Sequence, residues 1–242
     1  MKLIWLNDIQ DIQRVRDFVA QYRDTPLVQW RIRRNLATNK AEVPKEAFWQ
    51  ALVACLLTTQ QRSGPESAVA RFINTEPFPL AYAVCEPQRN LQHFAKDILT
   101  TFGGLRRTNI LAAEIAVNFR QFTAGLWEQT CQVLERLRLC DTVSNERRAA
   151  QFVAEQYRGF GPKQSRNLLQ LLGLTRYEIP IDSRSTKWLN DFGFPLQVAA
   201  SALSDPHYYE LIMDGIQQLC AQSDLYPCVL DAAIFVSFDD EA

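Results

Sequence analysis

Apolar residues recur at intervals of three and four along most of the chain, and this spacing constrains the fold more than any other feature. An early example is the run Ile9, Ile12, Val15 and Phe18, which places a single apolar stripe along one helix. Proline or a glycine turn precedes most of the later runs, as is usual where helices begin. Apart from an extended link at residues 178–181, alternation with a period of two is almost absent. The sequence therefore predicts an all-α fold.

A glycine turn separates two of the predicted helices. The segment Gly159-Phe160-Gly161-Pro162 follows one amphipathic run and precedes another. Because glycine adopts positive φ, we expect a turn that leaves no room for side chains and lets a ligand approach the backbone. Pro162 suits the first position of the second helix, and amides at a helix N-terminus bind anions. The turn could hold a phosphate, although a plain connection between helices uses the same residues.

Two polar residues near this turn could carry chemistry. Lys163 falls in the first turn of the second helix, and Asp182 follows the apolar segment 179–181 at the predicted start of another helix. A lysine amine can act as a nucleophile, and a carboxylate can stabilise developing positive charge. The alternatives are a phosphate-contacting or solvated lysine and an aspartate that caps a helix. These two residues alone leave the choice open.

Together these residues resemble the helix-hairpin-helix DNA glycosylase superfamily. Its pattern is a Gly-x-Gly hairpin, a lysine two residues later and an aspartate after a short extended link. In spacing the chain is similar to the lysine-bearing 8-oxoguanine DNA glycosylases that lack an iron-sulfur cluster. The resemblance runs in order from Pro44 to Phe235 but is specific only at residues 58–63, 159–163 and 179–182.

The resemblance implies two interleaved helical subdomains with an active-site cleft between them, forming one glycosylase unit. One subdomain would span about residues 55–140 and carry a wedge for the DNA minor groove. The other would combine about residues 1–54 and 141–242, with the DNA-binding hairpin motif at 144–173 and a C-terminal pocket helix. No counterpart of the β-domain of the eukaryotic 8-oxoguanine enzymes is present.

The resemblance also implies an activity, namely base-excision repair by a glycosylase with an associated apurinic/apyrimidinic lyase. Lys163 would attack the anomeric carbon of a damaged nucleotide and form a Schiff base. Asp182 would stabilise the positive charge on the sugar. The expected substrate is an oxidised purine, above all 8-oxoguanine, in duplex DNA. A glycosylase for another lesion, such as an oxidised pyrimidine, and a non-catalytic DNA-binding module remain alternatives.

Residues in three places are predicted to contact DNA. Gln60 matches the family residue that enters the gap left by an extruded nucleotide, where an amide can fill the hole and bond the orphaned base. The hairpin would contribute Gly159, Gly161 and Arg166. Arg184 stands where relatives often carry histidine and could contact a phosphate instead.

The C-terminal helix and the hairpin helix supply a predicted base pocket. Phe235 matches an aromatic residue that stacks on the extruded base, although a phenylalanine in an apolar run is often plain core. Asp231 stands where the family has a glutamine that reads the base edge. A carboxylate accepts naturally from the adjacent N1-H and N2-H₂ donors of a guanine-type edge. Asn167 replaces a family cysteine, so substrate choice could differ.

Composition sets the remaining expectations. The formal net charge of −1 gives no global signal for nucleic acid, but basic residues cluster around the glycine turns. Six cysteines without a Cys-x-x-Cys pair suggest buried thiols in a reducing cytoplasm. We expect no iron-sulfur cluster, no catalytic metal and no membrane association, although hairpin carbonyls could hold a monovalent cation. We expect a cytoplasmic monomer that binds damaged double-stranded DNA, associated with the nucleoid in a bacterium.

Overall fold

The computed structural model describes residues 4–61, 64 and 66–239. Within that part of the chain the regular elements are helices and no strand occurs, which confirms the predicted all-α class. The α-helices are α1 (Ile9–Tyr22), α2 (Pro26–Asn35), α3 (Lys45–Leu57), α4 (Ala68–Ile73), α5 (Tyr82–Cys85), α6 (Leu91–Phe102), α7 (Thr108–Gln121), α8 (Trp127–Leu139), α9 (Val143–Gln156), α10 (Pro162–Leu171), α11 (Ser183–Phe192), α12 (Pro206–Gln222) and α13 (Pro227–Asp239).

The chain divides into two compact units. The first unit comprises residues 1–41, 136–151 and 161–242, and the second comprises residues 42–135 and 152–160. The boundary predicted near residue 54 falls inside α3, all of which belongs to the second unit. The end of α9 and the first half of the glycine turn, Gly159 and Phe160, also belong to the second unit, and the chain re-enters the first unit at Gly161.

The first unit is organised around α12 and α13. Helix α13 packs against α1, α2 and α11 as well as α12, and Tyr209, Ile212 and Leu230 are buried in the shared core. Among the described residues no single helix is both long and apolar enough to span a bilayer. Helices α12 and α13 meet that test only when counted together, with a bend of 100° between them. Their apolar character is explained by burial in this core.

The second unit is built around α3, which is apolar on every side. Phe48, Trp49 and Leu52 are all fully buried, as expected for a helix that neighbours surround. The ring of Phe48 stacks on Phe122 with 5.9 Å between centroids. The indole Nε1 of Trp49 donates to the carbonyl of Leu80 at 2.9 Å, so the one polar atom of this side chain is satisfied.

An irregular segment at residues 174–182, here called the strap, connects α10 to α11. Its backbone bonds to side chains instead of to a neighbouring strand. Lys40 Nζ donates to the carbonyl of residue 174 at 2.6 Å, and Asn35 Nδ2 donates to that of residue 175 at 2.7 Å. The buried carboxylate of Glu146 accepts the amides of residues 176, 177 and 178 at 2.9, 2.8 and 2.8 Å. Residues 178–181, where the sequence predicts an extended link, are neither helix nor strand, and buried polar side chains define the path of the segment.

The two glycines of the turn occupy different environments. Gly159 has φ of +88°, and a Cβ there would lie 2.7 Å from Leu56 Cδ2 and 2.8 Å from Glu114 Cδ. Gly161 has φ of −110°, and a Cβ there would meet no heavy atom within 4 Å. The prediction of a turn without room for side chains is confirmed at Gly159 and wrong at Gly161, because Gly161 faces open space.

We expect Gly159→Ala to lower the free energy of unfolding by roughly 2 kcal/mol or more, since it combines positive φ with a steric clash. Gly161→Ala is the matched control and should cost less than about 1 kcal/mol, the usual penalty of a poorer N-cap. Urea denaturation followed by circular dichroism measures both. Equal losses in the two variants would contradict the distinction between these positions.

Candidate active site

Asp182 ends the strap and caps α11. Its Oδ1 accepts the amides of Arg184 and Ser185 at 2.9 and 3.1 Å, which confirms the capping alternative. Its Oδ2 lies 3.4 Å from Arg184 Nε, and the side chain is 27% exposed. One oxygen therefore fixes the carboxylate to the helix, while the other pairs with Arg184. Capping does not exclude a chemical role, because the two tasks use different oxygens.

The guanidinium of Arg184 links Asp182 to the C-terminal helix. Its Cζ lies 3.7 Å from the ring centroid of Phe235, a distance at which a cation is attracted to the aromatic face. Phe235 is only partly buried. A base that stacks on Phe235 must therefore use the other face of the ring or displace Arg184.

Asp231 lies one helical turn before Phe235 on α13. Its Oδ2 accepts from Gln170 Nε2 at 2.7 Å and lies 3.8 Å from Arg31 Nη2, and its side chain is 13% exposed. Burial raises the pKa of Asp231 to about 6, and the charge of Asp182 adds to that rise while Arg31 opposes it. The carboxylate is therefore largely ionised at pH 7, with Oδ1 uninvolved in these contacts.

Two polar atoms beside Asp231 lack partners. Arg31 Nε and Gln170 Oε1 are buried without a hydrogen bond to any residue that the structure describes. Native proteins leave few such atoms unsatisfied, and an unpaired pair next to a partly exposed carboxylate suits a polar ligand or a water. Neither residue was predicted as part of the site. The available signal was that Gln170 is a polar residue among the leucines of α10.

Lys163 is the second residue of α10, after the N-cap Gly161. The side chain is half-buried, and its amine has no hydrogen bond or ion pair to any described residue. The N-terminus of α10 also lacks a side-chain cap, so the amides of its first turn have no capping side chain. A Cβ on the N-cap residue Gly161 would meet no heavy atom within 4 Å. Among the predicted catalytic groups, Lys163 is an unengaged amine and Asp182 a partly engaged carboxylate.

Arg166 and Asn167 are used internally. Arg166 is 4% exposed, with its Nε 2.6 Å from Glu178 Oε2 and its Nη1 donating to the carbonyl of Pro162 at 3.0 Å. This guanidinium is therefore not placed to contact a phosphate, because its charge is already paired in the interior. Asn167 Nδ2 donates to Gln164 Oε1 at 3.2 Å, within the same helix.

In the second unit, Gln60 lies exposed just after α3. Its φ is +57°, a backbone conformation that costs energy for residues other than glycine. Arg107, which precedes α7, has a similar φ of +58°. A hydrogen bond joins the residues that follow α3 to those that precede α7, since Gln61 Oε1 accepts the amide of Arg106 at 2.9 Å. Strained backbone often marks functional positions. The end of the resembling segment, Arg62 and Ser63, lies outside the described residues.

The first unit thus brings together Asp182, Arg184, Asp231 and Phe235. A cavity of about 720 Å³ in the same unit is lined by Trp5, Tyr177, Tyr226 and their neighbours, and none of the predicted site residues lines it. Among the described residues no cluster of three or more His, Cys, Asp or Glu side chains could hold a metal ion.

The comparisons with known proteins add no assignment. No protein-family model matches the chain, and no curated protein is significantly similar to it in sequence. The function of this chain is therefore inferred from the geometry of the site.

Proposed function

We propose that this protein is a DNA glycosylase with apurinic/apyrimidinic lyase activity that excises an oxidised purine, 8-oxoguanine above all, from duplex DNA. The observation that carries the proposal is the combination of an unengaged amine and a partly exposed carboxylate within one unit. Lys163 lies at the start of α10, and Asp182 ends the strap that leaves the same helix. The cluster around Asp231 and Phe235 adjoins Asp182 through Arg184.

In the proposed reaction the unprotonated amine of Lys163 attacks C1′ of the damaged nucleotide. The glycosidic bond breaks with its electron pair on the departing base, which takes up a proton. The sugar ring opens to a Schiff base between C1′ and Lys163. Loss of a proton from C2′ then expels the 3′ phosphate, and water releases the enzyme. Asp182 Oδ2 stabilises the positive charge that develops on the sugar.

Base recognition in this proposal relies on Asp231. A guanine-type edge presents N1-H and N2-H₂ as adjacent donors, and an ionised carboxylate offers acceptors on both oxygens. Gln170 and Arg31 contact only Oδ2, so they orient the carboxylate and leave acceptor capacity for the base. A pyrimidine lacks this pair of donors, which favours the purine assignment.

In this proposal DNA is positioned by backbone amides at the start of α10 and by the side chain of Gln60, more than by a broad basic surface. The N-terminus of α10 has no side-chain cap, and a Cβ at Gly161 would meet no heavy atom within 4 Å, so the first amides of this helix suit a phosphate. Gln60 is exposed in a strained conformation, with the exposed Arg106 held nearby through Gln61. An amide there can occupy the gap that an extruded nucleotide leaves.

Lys163→Gln should abolish the covalent adduct that borohydride traps between enzyme and lesion-containing DNA, because the amide cannot form a Schiff base. DNA affinity should stay within about threefold, since at most one phosphate contact is lost. The matched control is Lys187→Gln, which removes an exposed lysine that pairs with Asp191 at 3.0 Å and should leave trapping intact. An adduct that persists in Lys163→Gln would place the nucleophile elsewhere. A wild-type protein that binds DNA but traps no lesion would favour the non-catalytic module.

Preference for a duplex containing 8-oxoguanine over one containing a tetrahydrofuran abasic analogue, which has no base edge, should fall as the pH drops from 7 to 5, by up to roughly tenfold if only ionised Asp231 accepts from the base. The sign follows from its pKa of about 6, because protonation removes acceptors as the pH falls through that value. Asp231→Asn should show a pH-independent preference. Fluorescence anisotropy with both duplexes from pH 5 to 8 measures the ratio, and the same pH dependence in Asp231→Asn would refute this role.

Gln60→Gly should reduce excision from duplex DNA by roughly tenfold without lowering protein stability, because glycine accepts the positive φ while the wedge is lost. Excision from a single-stranded substrate should change little, since no partner base is orphaned there. Single-turnover kinetics on both substrates tests this. Equal losses on the two substrates would contradict the wedge assignment.

A further inference from the structure

Tyr209 lies beneath the strap on α12 and has no part in the chemistry proposed above. It is fully buried. Its hydroxyl donates to the carbonyl of Ile179 at 2.8 Å and accepts the amide of Ile181 at 2.7 Å. Asp182 is the next residue, so this phenol holds the backbone immediately before the proposed catalytic carboxylate.

The ring of the same tyrosine packs against an arginine of α10, the helix that also carries Lys163. The guanidinium carbon of Arg166 lies 4.4 Å from the ring centroid of Tyr209. Arg166 follows Lys163 by less than one turn on α10, and its Nη1 bonds the carbonyl of Pro162 at 3.0 Å. Its Nε pairs with Glu178 of the strap at 2.6 Å. One buried side chain thus contacts the strap through its hydroxyl, and through its ring it contacts an arginine that bonds the first residue of α10.

We propose that Tyr209 is a positioning residue that sets the spacing between the amine of Lys163 and the carboxylate of Asp182. This inference rests on the proposed function. In the described part of the chain no strand lies beside the strap, so a phenol, which both donates and accepts, satisfies two backbone groups there. Reaction rates depend steeply on such spacing, because a displacement of about 1 Å can cost roughly a hundredfold.

Tyr209→Phe is the direct test, because it keeps the ring and its contact with Arg166 and removes only the hydroxyl. The single-turnover excision rate, normalised to active sites by borohydride titration, should fall at least roughly tenfold. Affinity for a duplex containing a tetrahydrofuran abasic analogue should stay within about threefold. A purely structural role would lower the melting temperature and the active fraction but would leave the rate per active site unchanged.

Tyr82→Phe is the matched control. Tyr82 is a buried tyrosine of the second unit whose hydroxyl also makes two hydrogen bonds, to Lys45 Nζ at 2.8 Å and to Glu86 Oε1 at 3.2 Å. Its loss should leave the excision rate unchanged. Hydrogen exchange gives a readout independent of catalysis, since the amide of Ile181 should exchange faster in Tyr209→Phe and at the wild-type rate in Tyr82→Phe.

The outcomes separate this inference from the proposed function. A wild-type enzyme that excises the lesion, together with an unchanged rate in Tyr209→Phe, overturns the role of Tyr209 and leaves the glycosylase intact. A wild-type protein that neither excises nor traps any lesion removes the function and this inference with it. If Tyr209→Phe does not fold, Arg166→Lys replaces it, because it retains a charge for Glu178 and loses the planar stack on Tyr209. It should show the same loss of rate at preserved affinity, and a wild-type rate in that variant overturns the inference.

Discussion

Charge compensation around Glu178 is the interaction on which the arrangement of the first unit depends. This carboxylate is fully buried, lies 3.0 Å from Arg147 of α9 and 2.6 Å from Arg166 of α10, and accepts from Gln217 of α12 at 2.9 Å. Removing a carboxylate from water costs several kcal/mol unless opposite charges and hydrogen bonds offset it. Three helices and the strap therefore meet at the carboxylate of Glu178. Each helix is fixed in place because it supplies a partner that this buried charge needs.

The need to give every buried polar group a partner also explains how the strap, an irregular segment, can have a well-defined position. The strap runs through the interior without a strand ladder, so its amides and carbonyls need other partners. Glu146 and Tyr209 supply them at defined distances, and burial raises the pKa of Glu146 to about 7 although the strap amides it accepts act in the opposite direction. Asp182 inherits its position from these contacts, because it follows the last tethered residue and is itself fixed as a helix cap.

The internal use of arginine also bears on DNA binding. Several basic residues that suggest a nucleic-acid surface when counted in the sequence pair with acids or aromatic rings in the structure. Arg166 and Arg147 both pair with Glu178, while Arg184 stacks on Phe235. Because these cations are already engaged, the proposed contact with DNA relies on the uncapped N-terminus of α10 and on the exposed residue Gln60.

The sequence by itself determined the helical class, the start of α10 at Pro162 and the start of α11 after Asp182, because helix periodicity and helix starts depend on residues close together in the chain. Tertiary structure decided the rest of the candidate site. In the structure Arg166 is buried against Glu178, and the space beside Gly161 is open. Arg31, from the other end of the chain, lies next to Asp231. The positions of these residues depend on which groups, distant in the sequence, are buried together. The spacing of residues along the chain does not indicate such pairs.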